Sequence, residues 1–205
     1  MSSWCRISFS SSDTNPLYYA GNLYLDGELV TNLVIPEDIT SIGFCTFYKC
    51  KSLQNVIIHN NVTDIDNSAF YYCTGLTSVT IGNGVTSINY YAFSKCSNLK
   101  EIHFNATAMN DLSEYNNVFS YAGQNGGAKV IIGKNVTKIP AYLFCPYSNF
   151  SDSPKIVSVE FEEGSVCESI GNYAFARCDS LKSVTIPDSV TNIGTDAFAY
   201  LLNLT

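Results

Sequence analysis

Few residues in this 205-residue chain could do chemistry: eight cysteines, two histidines and one run of glutamates. Thiolates and imidazoles bind metals, thiols cross-link, imidazoles move protons, and clustered carboxylates take calcium. The spacing argues against each use. No C-x-x-C pair is present. Instead Cys50, Cys73 and Cys96 recur at one constant interval, each three positions after a phenylalanine, Phe47, Phe70 or Phe93, and Cys178 follows Phe175 in the same way. Cysteine at a repeated position acts as a small buried hydrophobe. Side chains entering a packed core in parallel do not reach the twisted geometry of a disulfide. Buried free thiols are therefore expected, with room for one disulfide among the off-register Cys5, Cys45, Cys145 and Cys167.

His59 and His103 belong to different units and are expected on the solvent side of a sheet, too far apart for a catalytic pair. Glu160, Glu162 and Glu163, with Glu168 nearby, lack the Asp/Gly periodicity of a calcium repeat and read as a solvated acidic patch. No nucleophile elbow, zinc-protease helix or phosphate-cradling loop appears. The reading is a non-enzyme with no cofactor and no metal.

What positions these residues is a repeat. The template L-x-x-V-x-I-x-x-x-V-T-x-I-x-x-x-A-F-x-x-C recurs along the chain. Its first valine position falls at Ile7, Leu33, Val56, Val79, Ile102, Val130, Val159 and Val184. The three intervals from Leu33 to Ile102 are identical, and the others are the same unit with insertions. One such unit cannot bury its own apolar face, whereas about eight stacked units of roughly 23–29 residues share a continuous core. "LTSVTI" (76–81) alternates apolar residues with period two and reads as a strand. Asn83-Gly84 marks a turn, "VTSI" (85–88) is a short second strand, and "NYYAFSKC" (89–96) suits a short helical or 3-10 turn.

Composition agrees. Apolar residues make up 46% of the chain, enough for a core, and the net charge of −7 disfavours nucleic acid and anionic membranes. No apolar run has the length of a membrane-spanning helix. The first residues, "MSSWCRISF", carry no signal-peptide pattern. Trp4 and Leu204 both fall on strand positions without polar caps. One solenoid domain over 1–205 is expected, as an uncapped segment of a longer protein, with irregular insertions at 105–128 and 145–155.

The stretch "LKSVTIPDSVTNIGTDAF" (181–198), with "LVIPEDITSIG" (33–43) and "ESIGNYAFARCDSLKSV" (168–184), resembles the BspA-like branch of the leucine-rich repeats. That resemblance implies a right-handed solenoid with a parallel sheet on one face. It also implies a bacterial-type surface or secreted protein of a host-associated microbe, engaged in adhesion or protein binding. It supplies no catalytic residues. The expected partner is a protein, or a glycan, of a host or extracellular matrix, and the expected location is the cell surface or beyond. A spacer without a ligand is the alternative.

Two places are candidates for partner binding. Outward strand positions form a column, Val34, Ile57, Thr80, His103, Ile131, Glu160 and Thr185, beside a small polar column, Asn32, Asn55, Ser78, Glu101, Lys129, Ser158 and Ser183. The insertions carry Tyr115, Tyr121, Tyr147 and Phe150, aromatic residues of the kind favoured in interfaces. The candidate set is thus Ile57, His103, Ile131, Glu160, Tyr115, Tyr121, Tyr147 and Phe150.

Overall fold

A computed structural model describes residues 1–146 and 152–205. Six parallel strands, Asn32–Val34, Asn55–Ile58, Ser78–Ile81, Glu101–Phe104, Ala128–Ile132 and Ile156–Phe161, pair in sequence order into one sheet. A parallel bridge from Val159 to Val184 adds a seventh coil. The register pairs Leu33, Val56, Val79, Ile102, Val130 and Val159 in series, so the repeat positions of the template are ladder neighbours. Alternation buries these residues and turns their neighbours outward. The first to sixth coils start at those six residues in turn, and the seventh at Val184.

The repeat at Ile7 does not join this ladder. Residues Ser2–Cys5 and Leu17–Ala20 are short helices, Tyr24–Leu25 and Glu28–Leu29 form an antiparallel hairpin, and Ile7 is 43% exposed. The expected strand at Trp4 and Ile7 is therefore corrected. This segment lies across the first coil. Trp4 Nε1 donates to the Thr46 carbonyl at 3.0 Å, Asn15 Nδ2 donates to the Cys45 carbonyl at 2.7 Å, and Arg6 pairs with Asp38 at 2.7 Å. The Thr46 carbonyl, which accepts from Trp4 and also from Asn15 Nδ2 at 3.1 Å, is one that has no preceding coil to bond.

A second row of two-residue strands runs Ser41–Ile42, Asp64–Ile65 and Ser87–Ile88, then resumes at Lys138–Ile139, Ser169–Ile170 and Asn192–Ile193. It is broken at the fourth coil. There Asn110 N–H still reaches the Thr86 carbonyl at 3.0 Å, but the strand is replaced by a side-chain brace. Asp111 accepts from the Ala141 N–H at 2.8 Å and pairs with Lys138 at 2.6 Å. Burial pushes the Asp111 carboxyl up, and the Ala141 N–H with Lys138 outweighs it, leaving the group below its usual range.

The third side is the A-F-x-x-C turn. Its N–H groups alternate: Ala69, Tyr71 and Cys73 bond three residues back within the coil, while Ser68, Phe70 and Tyr72 donate to Tyr90, Ala92 and Ser94 of the next coil at 2.8–2.9 Å. The within-coil bonds are those of a short 3-10-type turn. A continuous helix is interrupted because Ser68 and Tyr72, like Tyr91 and Lys95, have positive φ near 60°. Bulky residues rarely adopt that conformation. Here it recurs coil after coil, so it belongs to the fold.

Inside the turn, Phe47, Phe70, Phe93, Phe119, Phe144, Phe175 and Phe198 stack in a ladder with centroids 5.0–5.5 Å apart. Beside it, the Cys73 thiol donates to the Phe47 carbonyl and the Cys96 thiol to the Phe70 carbonyl, at 3.1 and 3.3 Å. All eight cysteines are buried free thiols. Burial pushes Cys45 and Cys96 up to about 12, far from the reactive thiolate range. The ladder crosses the fourth coil although that coil reads Val118-Phe119-Ser120-Tyr121-Ala122, with Ala122 in the cysteine's place.

Candidate functional site

The outward column of the main sheet forms as the spacing predicts. Val34 pairs with Ile57, Ile57 with Thr80, Thr80 with His103, His103 with Ile131, and Ile131 with Glu160. Ile57, His103, Ile131 and Glu160 therefore lie in one line across five coils, with the polar column alongside. Val34 is 60% exposed and Ile57 46% exposed. A directly opposed pair of bare aliphatic side chains is costly to hydrate and favours a cover. The hairpin residues Leu25 and Leu29 are also exposed, and they line one shallow groove with Val34. The apolar end of the sheet face is thus built jointly by the strands and the hairpin.

Further along, the column becomes charged. Lys129 pairs with Glu160 at 2.6 Å, and His103 Nε2 lies 3.3 Å from the Glu101 carboxylate. Both pairs are solvent-facing, and pairs of this kind contribute little to stability. The groove beside Glu160 is lined by Phe161, Glu162, Thr185, Pro187 and Asp188, while His103 stands two strands away. His103 and Glu160 do not converge as an acid–base pair.

His59 departs from expectation. It is half-buried at the corner after its strand and not on the sheet face. Its Nδ1 accepts from the Asn61 N–H at 3.0 Å, which leaves Nε2 to donate to the Pro36 carbonyl at 2.6 Å. The ring ties one corner to the previous coil.

The aromatic candidates are scattered. Tyr115, 48% exposed, stands at the tip of a loop closed by Ser113 and Asn116, whose side chains bond at 2.6 Å. Tyr121 lies on the turn side, its hydroxyl donating to the Asp152 carboxylate. Tyr147 and Phe150 fall outside the described residues. "GQNGG" (123–127) is a turn, held by Asn125 N–H on the Ser97 carbonyl and Asn125 Nδ2 on Asn98 Oδ1, both at 2.9 Å.

Sequence reasoning missed the tyrosines of the turn. Tyr48 and Tyr71, one repeat apart, stack at 5.1 Å, and Tyr18 of the second helix adds a third ring at 5.8 Å. Their spacing was the available signal. Lys49 Nζ sits 3.6 Å from the Tyr18 ring centre, and Lys95 Nζ sits 5.5 Å from those of Tyr71 and Tyr121. The Tyr71 hydroxyl beside it raises the Lys95 ammonium above its usual value. Among the described residues no group of three or more His, Cys, Asp or Glu side chains is placed to hold a metal, and no helix is long and apolar enough to cross a membrane.

Among curated proteins, none matches the chain. Solved structures do. A leucine-rich repeat protein of T. pallidum superimposes with a TM-score of 0.58 at 23% identity, covering 85% of this chain and 78% of that one. A leucine-rich cell surface protein of Faecalibacterium prausnitzii gives 0.48 at 26% identity over 86% of this chain and 46% of its own length. A leucine-rich repeat protein of Bacteroides ovatus gives 0.39 at 20% identity over 86% and 66%. This chain thus spans less than half of the Faecalibacterium protein. The family model for the BspA type leucine-rich repeat region matches residues 22–150 and 145–205, in six copies. The chain belongs to the BspA-type leucine-rich repeat family.

Proposed function

We propose that this chain is a non-catalytic binding module of a bacterial-type cell-surface or secreted protein, joining it to an extracellular protein partner in adhesion. The observation that carries the reading is the sheet face. A continuous outward column crosses six coils, and it opens with the exposed Val34–Ile57 pair flanked by Leu25 and Leu29. A parallel repeat sheet presents a long, rigid surface to an extended partner at little ordering cost. Apolar residues at one end and the Lys129–Glu160 pair further along supply an anchor and a polar rim. Family membership supports the surface location and the absence of chemistry.

The test is an array of host matrix proteins and glycans, probed with the isolated chain. Binding to a protein that falls at least about tenfold in an Ile57→Lys variant of unchanged fold is expected, a loss typical of a central interface residue. Binding to glycans alone, or an Ile57→Lys variant that binds as well as the parent, contradicts the reading. Silence across the array favours the spacer.

A further inference from the structure

The tyrosine column of the turn ends in a gap. Tyr18, Tyr48 and Tyr71 stack nearly parallel, at interplanar angles of 8° and 15°. The next position in register is Ser94, so the fourth ring is missing. What remains is a notch of about 360 Å³ lined by Tyr48, Tyr71, Tyr91, Ser94, Lys95 and Tyr121. Its volume falls at the lower end of the range for small-molecule sites.

Two polar groups in the notch have donors to spare. Ser94 is 1% exposed, and its hydroxyl has no hydrogen-bond partner among the described residues. Lys95 makes no ion pair among the described residues. Its ammonium is held among Tyr71, Tyr72 and Tyr121, with ring centres 5.5–5.9 Å away. Asp152 already accepts from the Tyr121 hydroxyl. A stack that stops at a notch, with Tyr91 edge-on to Tyr71 at 6.4 Å and a cation at the rim, has a definite complement. It is a flat ring for the face of Tyr71 and an anion for Lys95.

We propose that this notch binds an aryl anion, a flat aromatic ring bearing a sulfate or phosphate, with the ring continuing the tyrosine column and the anion on Lys95. The ring arrives either as a free small molecule or as a modified tyrosine of a partner polypeptide. The site lies on the turn side and does not depend on the sheet face.

An NMR titration with phenyl phosphate, phenyl sulfate, phenol and glucuronate tests it. Phenyl phosphate and phenyl sulfate are expected to shift the Tyr71, Ser94 and Lys95 amides saturably. Phenol should bind roughly tenfold more weakly, the loss of one charge-assisted contact. Lys95→Gln should bring phenyl phosphate down to the level of phenol, and Ser94→Tyr, which fills the gap, should abolish its binding. Should Ser94→Tyr fail to fold, Tyr71→Leu removes the stacking face and should abolish binding in its place. An O-sulfotyrosine peptide that binds more tightly than phenyl sulfate assigns the site to a partner chain, and equal binding assigns it to the free ring. No saturable shift at these amides, phenol equal to phenyl phosphate, glucuronate binding more tightly than the aryl anions, or an unaffected Lys95→Gln variant overturns the proposal. Ile57→Lys, which tests the sheet face, should leave the titration unchanged, so the two readings fail separately.

Discussion

The second and third coils keep one strict period, whereas the fourth and fifth are each several residues longer and lose much of the motif. Both pairs nevertheless share the main sheet and the phenylalanine ladder without a gap. What fails in the irregular pair is the second row of strands, which skips the fourth coil. The two ladders therefore hold the coil, while the fifth coil keeps its second strand at the regular spacing and carries its extra residues between Phe144 and Val159. The physical reason is burial. Both ladders place large apolar side chains in the core, while the short second strands contribute one buried isoleucine each at most coils.

The largest effect should come from the ladder that both regions share. Phe93→Ala, between two stacked neighbours, should cost about 3–5 kcal/mol in urea denaturation. Phe198→Ala, at the less buried end of the same ladder, should cost well under half of that. Equal losses at both positions would break the idea of a ladder supported from both sides.

Matched glycines separate the regions next. A Cβ at Gly82 would meet the His59 backbone at 2.6 Å, whereas a Cβ at the equivalent Gly133 would meet the movable Asn105 side chain, Oδ1 at 2.2 Å and Cγ at 3.2 Å, with backbone no nearer than 3.5 Å. Gly82→Ala should therefore lower stability by about 1–3 kcal/mol and Gly133→Ala by less than about 1, measured by the same denaturation.

The thiols follow. Burial raises Cys96 to about 12 from an unfolded value of 9.0, and Cys145 of the irregular region to about 11. The folded state holds these protons where the unfolded state releases them. Their contribution is full below pH 9 and is lost as pH rises from 9 toward 12. Thermal melts should fall over that window, and a thiol reagent at about pH 8 should label Cys145 before Cys96. Cys73→Ala, which leaves the Phe47 carbonyl without its thiol donor, should cost about 1–2 kcal/mol.

The smallest effect belongs to the brace that replaces the missing strand. Asp111→Ala should cost about 1 kcal/mol, because the Ala141 N–H loses its acceptor at a half-exposed site. The Asp111 carboxyl is held below its unfolded value of 3.8, so its contribution is present above that pH and fades as pH falls further.

Much of this was legible in the spacing. The recurrence of Leu33, Val56 and Val79 fixes the register, and with it the outward column from Val34 to Glu160, because side chains alternate with period two. The ring ladder follows from Phe47, Phe70 and Phe93 in the same way. Residues 1–31 did not follow, since Ile7 fits the period by composition while Trp4 and Asn15 are committed to capping carbonyls of the first turn. His59 was misplaced for a local reason, as its ring finds two backbone partners at the corner. The gap at Ser94 becomes meaningful only once Tyr48 and Tyr71 are seen to stack, because a serine at a variable position carries no signal by itself.

Hydrogen exchange of the main-sheet amides tests most directly whether the regular and irregular coils share one core. Ser78–Ile81, Glu101–Phe104, Ala128–Ile132 and Ile156–Phe161 should open with closely similar free energies, as one cooperative unit. Protection that is high through residue 104 and collapses from residue 128 onward would contradict the account. It would mean that the insertions divide the solenoid in two.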